Sequence, residues 1–304
     1  MNKTILGAHL NLLLWTFIVG LSFPAVSMLS RGLPPILLTS FRFAVAILSI
    51  APFLKGKADV KPSRKGFALY TLMAFCLALF FCGMFWAAER ATSLSMATLY
   101  VSVPLLAYLF GRLLSVERAD LKMLVVLLTG AVGALLLAFI DAGRVHGGMT
   151  FGKGEAVFFV GCIASALYPV LTKAGLQKGL LSSSALVRTF WSLFLGSLLM
   201  ALAGLLFEAP ADLLRMNLRD VLLIVYLGIF SSGLTFWLMQ YATAVLTPAA
   251  VTAYSYLVPF VSMVFLFVEN PAELSLKWLP GSLLVAVAIL QLLRYDLNKR
   301  QKLN

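Results

Sequence analysis

The sequence predicts an all-α integral membrane protein with ten transmembrane helices. Of its 304 residues, 61% are hydrophobic and only 12% are charged, a balance that does not suit a water-facing surface. Apolar runs of about 20 residues, the length that crosses some 30 Å of hydrocarbon, recur along the whole chain. Alternating strand patterns are absent, so a membrane barrel is not expected.

The predicted spans are numbered in chain order, and the loops between them hold nearly all of the charged residues. Each span as a helix satisfies its own backbone hydrogen bonds, which lipid cannot do. The spans are 7–29, 34–54, 66–88, 94–114, 121–140, 154–172, 184–207, 220–240, 247–268 and 277–295.

Basic residues collect on one side when the loops are assigned alternately, starting from a cytoplasmic N-terminus. Fifteen of the 24 basic residues then lie on the cytoplasmic side with four acids, and seven lie on the outer side with eight acids. This bias follows the positive-inside rule. It predicts a multi-pass protein of the cell (inner) membrane with both termini in the cytoplasm, and it explains the net charge of +12 without nucleic acid as a partner.

The two halves of the chain repeat each other. FWAAERAT at 85–92 and FWLMQYAT at 236–243 share the frame FW-x4-AT and close spans 3 and 8. Pro24 of span 1, in SFPAV, matches Pro169 of span 6, in LYPVL. The order of these matches predicts an internal duplication.

Two further pairs extend the duplication. Arg42 of span 2 lies 18 residues after its proline, and Arg188 of span 7 lies 19 residues after its own. TLYVSVP of span 4 ends at Pro104, and AYSYLVP of span 9 ends at Pro259.

The predicted repeats are residues 5–141 and 152–298. Five crossings is an odd number, so the second repeat enters the membrane from the opposite side and is inverted. Two similar halves of opposite topology can adopt two arrangements, one open inward and one open outward, around a site near the midplane of the membrane. This organisation favours a transporter that works by alternating access.

The stretch VPLLAYLFGRLLSVERADLKMLVVLLTGAVGALLL, its counterpart VPFVSMVFLFVENPAEL and the segment TSFRFAVA carry a family resemblance. The chain resembles the ten-helix, EamA-type branch of the drug/metabolite transporter superfamily over residues 7–295. The resemblance implies two five-helix halves around a cavity lined by helices 1, 3, 4, 6, 8 and 9, braced by helices 5 and 10. It also implies secondary transport of small metabolites, amino acids or drugs, in the export direction for bacterial members.

Export of amino acids or related compounds is the leading interpretation of this sequence. Import or antiport of phosphorylated or nucleotide-linked metabolites and multidrug efflux remain alternatives. An enzyme is not expected, because the two histidines, His9 and His146, lie near opposite membrane faces and no acid lies in mid-span. We expect neither a metal nor a cofactor. The expected partners are a small-molecule substrate, the lipid bilayer and, as an option, a coupling proton. The protein is expected to be a monomer or a homodimer.

Arg42 and Arg188 are the sharpest candidates for substrate binding. An arginine inside a membrane helix costs about 2.5 to 3.5 kcal/mol on insertion scales, and it seldom lacks a partner. A guanidinium holds a carboxylate by two parallel hydrogen bonds. The alternatives are snorkelling to the headgroups and a contact that only fixes a helix pair.

Aromatic side chains on the expected cavity helices are the second group of candidates for substrate binding, because each joins an apolar face to a polar edge. Each of them also suits an interface anchor. They are Trp15, Trp86, Tyr100, Tyr168, Trp237, Tyr254 and Tyr256.

Four prolines are predicted as hinge or gating positions, since proline removes a backbone hydrogen bond and kinks or breaks a helix. They are Pro24, Pro169, Pro104 and Pro259.

Glu89 and its repeat counterpart Gln240 complete the candidate site. Glu89 is a candidate for proton coupling and Gln240 for substrate binding. Because Arg90 follows Glu89 directly, a solvated ion pair at the helix end is the alternative for this acid.

Overall fold

The computed structural model of the protein describes residues 3–57, 59–142, 152–269 and 276–301, and these ranges fold into helices joined by turns. The α-helices are α1 Lys3–Ser27, α2 Pro35–Ile50, α3 Arg64–Ala88, α4 Ser93–Tyr100, α5 Val103–Leu113, α6 Leu121–Ala142, α7 Lys153–Gln177, α8 Ala185–Phe207, α9 Leu218–Tyr226, α10 Thr235–Val245, α11 Pro248–Ala253, α12 Val258–Glu269 and α13 Leu279–Gln301. Short 3₁₀ segments occupy Ala51–Leu54, Pro210–Arg215, Tyr254–Leu257 and Leu276–Trp278, and a π-helical segment occupies Leu227–Leu234.

Within the described ranges, nine helical segments are long and apolar enough to cross a membrane, and they correspond to predicted spans 1 to 8 and 10. Span 9, predicted at 247–268, is divided into α11, a 3₁₀ turn and α12. Ten uninterrupted helices are therefore not confirmed. The division has a local cause: Pro259 has no N–H to donate to the carbonyl of Ser255, so the preceding turn tightens.

Span 4 is interrupted at the matching position. Helix α4 ends at Tyr100, and α5 begins at Val103 with Pro104 as its second residue. Proline suits the first turn of a helix, where the missing N–H has no intrahelical acceptor. The fourth helix of each repeat thus has an irregular, tightened turn just before its proline, where the backbone angles stay helical.

Contacts between the two halves follow a two-fold pattern. Helix α3 of the first repeat packs against α7 and α8 of the second. Correspondingly, span 8 of the second repeat packs against α1 through α10 and the π-helical segment, and against α2 through the π-helical segment. Helix α5 packs against α7 as α12 packs against α1, while α2 meets α8 and α6 meets α13. Exchanging the halves maps this set of contacts onto itself, which indicates a pseudo-two-fold relation between them.

Helices that are each other's repeat counterparts meet closely. In the α2/α8 contact, the Ser40 hydroxyl donates to the carbonyl oxygen of Ser197 at 2.9 Å, and the Ser197 hydroxyl donates to that of Ser40 at 3.0 Å. In the α6/α13 contact, a Cβ added at Gly133 or at Gly281 would lie 2.9 Å from the other residue's carbonyl oxygen. Only a residue without a side chain permits this approach.

Polar side chains tie the helix ends together. The N-terminus of α2 has no side-chain cap of its own, and the Glu208 carboxylate accepts from the Ile36 and Leu37 N–H groups at 2.7 and 2.9 Å. At the other end of the molecule, Lys173 Nζ of α7 donates to carbonyls of the α10 C-terminus, at 3.0 to 3.2 Å. Both sets of hydrogen bonds connect elements that are far apart in the sequence. They also pair backbone N–H and C=O groups that have no partner within their own helix.

Candidate functional site

Arg42 lies at the middle of α2 and faces span 8. Its Nη2 donates to Ser231 Oγ at 3.2 Å and to Ser232 Oγ at 3.5 Å. Its Nε is buried and has no hydrogen-bond partner among the described residues, none of which forms an ion pair with it. The guanidinium therefore keeps donor capacity that the described part of the protein does not use.

The two serines belong to the π-helical segment Leu227–Leu234. Such segments are rare and frequently mark functional sites. A Cβ added at Gly228 would lie 2.7 Å from Val45 Cβ and 2.9 Å from the Arg42 carbonyl oxygen. The glycine lets the segment approach α2 closely enough for the serine hydroxyls to reach the guanidinium.

Arg188, the repeat counterpart of Arg42, is fully buried and is bonded within the protein. Its Nη1 donates to the carbonyls of Ser182 and Ser183 at 2.6 and 2.9 Å. Its Nε donates to Gln240 Oε1 at 3.0 Å, and its Nη2 donates to the Gln240 carbonyl at 2.8 Å. Four of the five N–H groups of this guanidinium are thereby occupied.

Gln240 extends the network from Arg188 to α7. Its Nε2 donates to the Tyr168 hydroxyl at 2.7 Å and to Thr172 Oγ1 at 3.4 Å. Gln240 and Tyr168 are 1% and 2% exposed, so the network lies in the protein interior. It joins α7, α8 and α10 as a structural clamp.

The candidate aromatic residues are distributed over three apolar clusters. Tyr254 and Tyr256 are buried in the largest cluster, with Trp15 packed against it, while Tyr168 belongs to a second cluster. Tyr100 packs against a third, with its ring 5.9 Å from that of Phe80. The remaining two lie apart from these clusters.

Trp86 and Trp237 lie towards opposite ends of the molecule. Trp86 is 39% exposed, and the Arg90 guanidinium stands 4.3 Å from its ring centroid. Trp237 lines a cavity of about 520 Å³, together with Arg188, Tyr241 and Lys57.

This cavity opens between the ends of spans 2 and 8 and the start of α8, on the side assigned to the cytoplasm. A second groove, of about 830 Å³, runs between α6 and α13 and is lined by Asp120 and Tyr295. Neither lining includes Arg42. The first cavity shares span 8 with the cavity expected from the resemblance, while its other walls come from spans 2 and 7.

The four candidate prolines fall into two kinds. Helices α1 and α7 continue through Pro24 and Pro169. Pro104 and Pro259 stand at the discontinuities of spans 4 and 9.

Glu89 follows the last residue of α3 and lies in solvent. Its carboxylate is 3.2 Å from Arg90 Nη1, and the two side chains are 76% and 44% exposed. Glu89 is exposed, whereas Gln240, its counterpart in the second repeat, is buried.

Sequence analysis missed a buried cluster that contains His9. The His9 Nδ1 lies 2.8 Å from the Tyr254 hydroxyl, and its Nε2 lies 3.3 Å from Asp296 Oδ2. His9 is 1% exposed and Asp296 9%. The only sequence signal was a histidine within an apolar span, because its partners lie near the other end of the chain.

Two helical repeats and nine described segments that are long and apolar enough to cross a membrane indicate a multi-pass membrane protein built from two related halves. The EamA-like transporter family matches residues 6–139 and 152–294. The chain belongs to this family, whose members are membrane transporters of small molecules.

A solved structure, described only as a crystal structure of a protein, shares this fold. Its identity with this chain is 21%, its TM-score is 0.76, and the match covers 99% of each chain. No curated protein matches the sequence.

Proposed function

We propose that the protein is a secondary transporter that exports amino acids or related carboxylates from the cytoplasm, and that Arg42 with Ser231 and Ser232 holds the substrate carboxylate. The observation that carries this proposal is the buried Arg42 Nε, which has no hydrogen-bond partner among the described residues. A carboxylate accepts two parallel bonds from a guanidinium and neutralises its charge. The serine hydroxyls supply further donors at the same place.

Alternating access provides the transport mechanism. The two repeats contact each other through matched helix pairs, so the same set of contacts can exchange between two related arrangements. Spans 4 and 9 each have an irregular turn at matched prolines, and proline is a common position for a bend in a helix. These two positions are the proposed hinges.

The arrangement of the two arginines favours a carboxylate over a phosphorylated substrate. A phosphate carries more negative charge and is commonly held by several cations. Arg188 is engaged by two loop carbonyls and by Gln240, which leaves Arg42 as the intramembrane guanidinium with an open nitrogen in the described ranges. One cation with hydroxyl neighbours suits one carboxylate.

The test measures transport of labelled amino acids by purified protein in liposomes. A mixture of the twenty radiolabelled amino acids, loaded against the same unlabelled mixture, should show counterflow that saturates. Arg42→Lys keeps the charge and loses the two-point contact, so counterflow should fall at least tenfold while the protein still inserts and stays monodisperse.

Arg112→Lys is the matched control, because Arg112 is exposed at the end of α5. It should retain wild-type counterflow. Full counterflow by Arg42→Lys would remove Arg42 from the site. Absence of counterflow for every amino acid in the wild type, with activity towards sugar phosphates, would favour the alternative substrate class.

A further inference from the structure

A buried cluster joins span 1, the discontinuity of span 9 and span 10. We propose that His9, Tyr254 and Asp296 form a proton-binding site, and that proton binding there is coupled to the movement of span 9 in the transport cycle. The coupling rests on the proposed function, whereas proton binding stands on the cluster itself.

The geometry places His9 between two oxygen atoms. The Tyr254 hydroxyl is 2.8 Å from Nδ1, within hydrogen-bond distance. Asp296 Oδ2 is 3.3 Å from Nε2, within ion-pair distance, but the two groups are not aligned as a hydrogen bond. Histidine is the side chain that most readily exchanges a proton near neutral pH.

The surroundings of His9 contain acids and phenols. Asp296 lies within electrostatic range of Tyr254 and Tyr295, and Tyr295 donates to the Asp120 carboxylate and also faces Glu117. Among the elements packed on α1, the described part of span 8 adds Tyr241, and α13 adds Arg294, which is exposed. Asp296 is the acid in direct contact with His9 among the described residues, whereas Asp120 and Glu117 are connected to the cluster through Tyr295.

Protonation changes the two contacts differently. In the neutral tautomer with its proton on Nε2, the Tyr254 hydroxyl donates to Nδ1 and the Nε2–H faces Asp296 without good alignment. When a proton from water is taken up on Nδ1, that nitrogen becomes a donor, and the Tyr254 hydroxyl must turn to accept. The contact with Asp296 becomes an ion pair away from bulk solvent, where charge attraction is stronger than in water.

Tyr254 connects this change to the hinge. It is the first residue of the 3₁₀ turn Tyr254–Leu257 of span 9. Its carbonyl lies 3.3 Å from the Thr16 hydroxyl of α1, which shares its hydrogen with the Leu12 carbonyl at 2.9 Å. Span 1 therefore holds the discontinuity at both the side chain and the backbone of one residue. Separation of span 9 from α1 would break the His9 contact and release the proton.

The symmetry-related position has no equivalent site, because the cluster joins span 1 of the first repeat to spans 9 and 10 of the second. With Pro24 aligned on Pro169, His9 falls on Gly154 of the second repeat, which carries no side chain. The histidine of the proton site therefore has no counterpart. Asp296, whose side chain is 10% exposed, is its member nearest to solvent, at the end assigned to the cytoplasm.

The first experiment observes the proton directly. The full chain with His146→Gln, labelled with ¹⁵N-histidine in lipid nanodiscs, contains His9 as its one histidine. Its ring nitrogens should titrate between pH 5 and 9 with one inflection. Asp296→Asn should lower the proton affinity at least tenfold, since it removes the facing negative charge, and the exposed control Glu89→Gln should leave it unchanged.

Tyr254→Phe keeps the ring and removes the hydroxyl, so it should move the Nδ1 resonance more than the Nε2 resonance. Tyr254→Phe therefore still tests the proton site if Asp296→Asn does not fold. A His9 signal that stays constant from pH 5 to 9, or that titrates equally in wild type, Asp296→Asn and Tyr254→Phe, would overturn the proton site.

The second experiment tests coupling in liposomes with the labelled amino-acid mixture. His9→Gln should retain counterflow, because counterflow needs no net proton movement. Its accumulation of amino acids driven by an imposed pH gradient should fall at least tenfold. Accumulation by His9→Gln equal to that of wild type would overturn the coupling. Absence of counterflow in the wild type would refute the proposed function and the coupling with it, while the titration would still decide proton binding.

Discussion

At the scale of single residues, the two arginines of the repeats differ in what surrounds them. Arg42 and Arg188 occupy matched positions in spans 2 and 7, but their surroundings differ. Arg188 is 0% exposed and donates four hydrogen bonds within the protein. Arg42 meets two serine hydroxyls and retains an unpaired Nε. We therefore expect opposite phenotypes from the same substitution.

Arg188→Lys should destabilise the fold. A lysine has one nitrogen and cannot reach Gln240 and both loop carbonyls, so at least one buried acceptor loses its partner, at about 1 to 3 kcal/mol each. Thermal unfolding in detergent should show a lower Tm than the wild type. Arg42→Lys should leave Tm nearly unchanged, and a larger drop for Arg42→Lys than for Arg188→Lys would contradict this division of roles.

Sequence analysis could identify both arginines but could not distinguish them. Their positions relative to Pro24 and Pro169 differ by one residue, and each lies in an apolar span. What separates them is the neighbouring helix, because the partners of Arg188 come from a loop and from α10, and those of Arg42 from a π-helical segment. Such contacts depend on packing between spans, which periodicity does not report.

At the scale of elements, spans 4, 8 and 9 depart from regular helix, and they do so beside the candidate residues. The discontinuities of spans 4 and 9 could be anticipated, since proline has a known effect on its own helix. The π-helical segment could not, because its sequence LGIFSSGL is compatible with regular helix. Its close contact with α2 at Gly228 depends on tertiary packing.

Gly228→Ala tests the role of that close approach. The added Cβ would lie 2.7 Å from Val45 Cβ, so the π-helical segment must move away from α2. We expect a loss of about 1 to 3 kcal/mol of stability from overpacking. We also expect at least a tenfold loss of counterflow, because Ser231 and Ser232 would move away from Arg42.

Gly7→Ala is the matched control for this substitution. A Cβ at Gly7 meets nothing within 4 Å, so the same chemical change in another apolar span should preserve both Tm and counterflow. If Gly228→Ala behaves like Gly7→Ala, the geometry of the segment has no part in transport.

At the scale of the whole molecule, two-fold packing coexists with asymmetric chemistry. The helix contacts are paired between the halves, as are the discontinuities of spans 4 and 9. The buried polar groups are not paired: the His9 cluster, which joins the two repeats, and the Arg188 clamp of the second repeat each occur once within the described ranges. In the proposed mechanism, symmetric packing supports exchange between two arrangements, and asymmetric polar groups would give each arrangement a different affinity for substrate and proton.

The inverted relation of the repeats makes a prediction about topology. In a background with Cys76, Cys82 and Cys162 replaced by alanine, Lys55→Cys and Arg215→Cys place single thiols at exposed positions in two loops. The charge bias assigns the first loop to the cytoplasm and the second to the outside. A membrane-impermeant maleimide should therefore label Arg215→Cys in intact cells and Lys55→Cys only after permeabilisation. Tags at the two termini should behave like Lys55→Cys. Termini on opposite faces would mean that one repeat crosses the membrane an even number of times, and the halves could then not exchange as inverted copies.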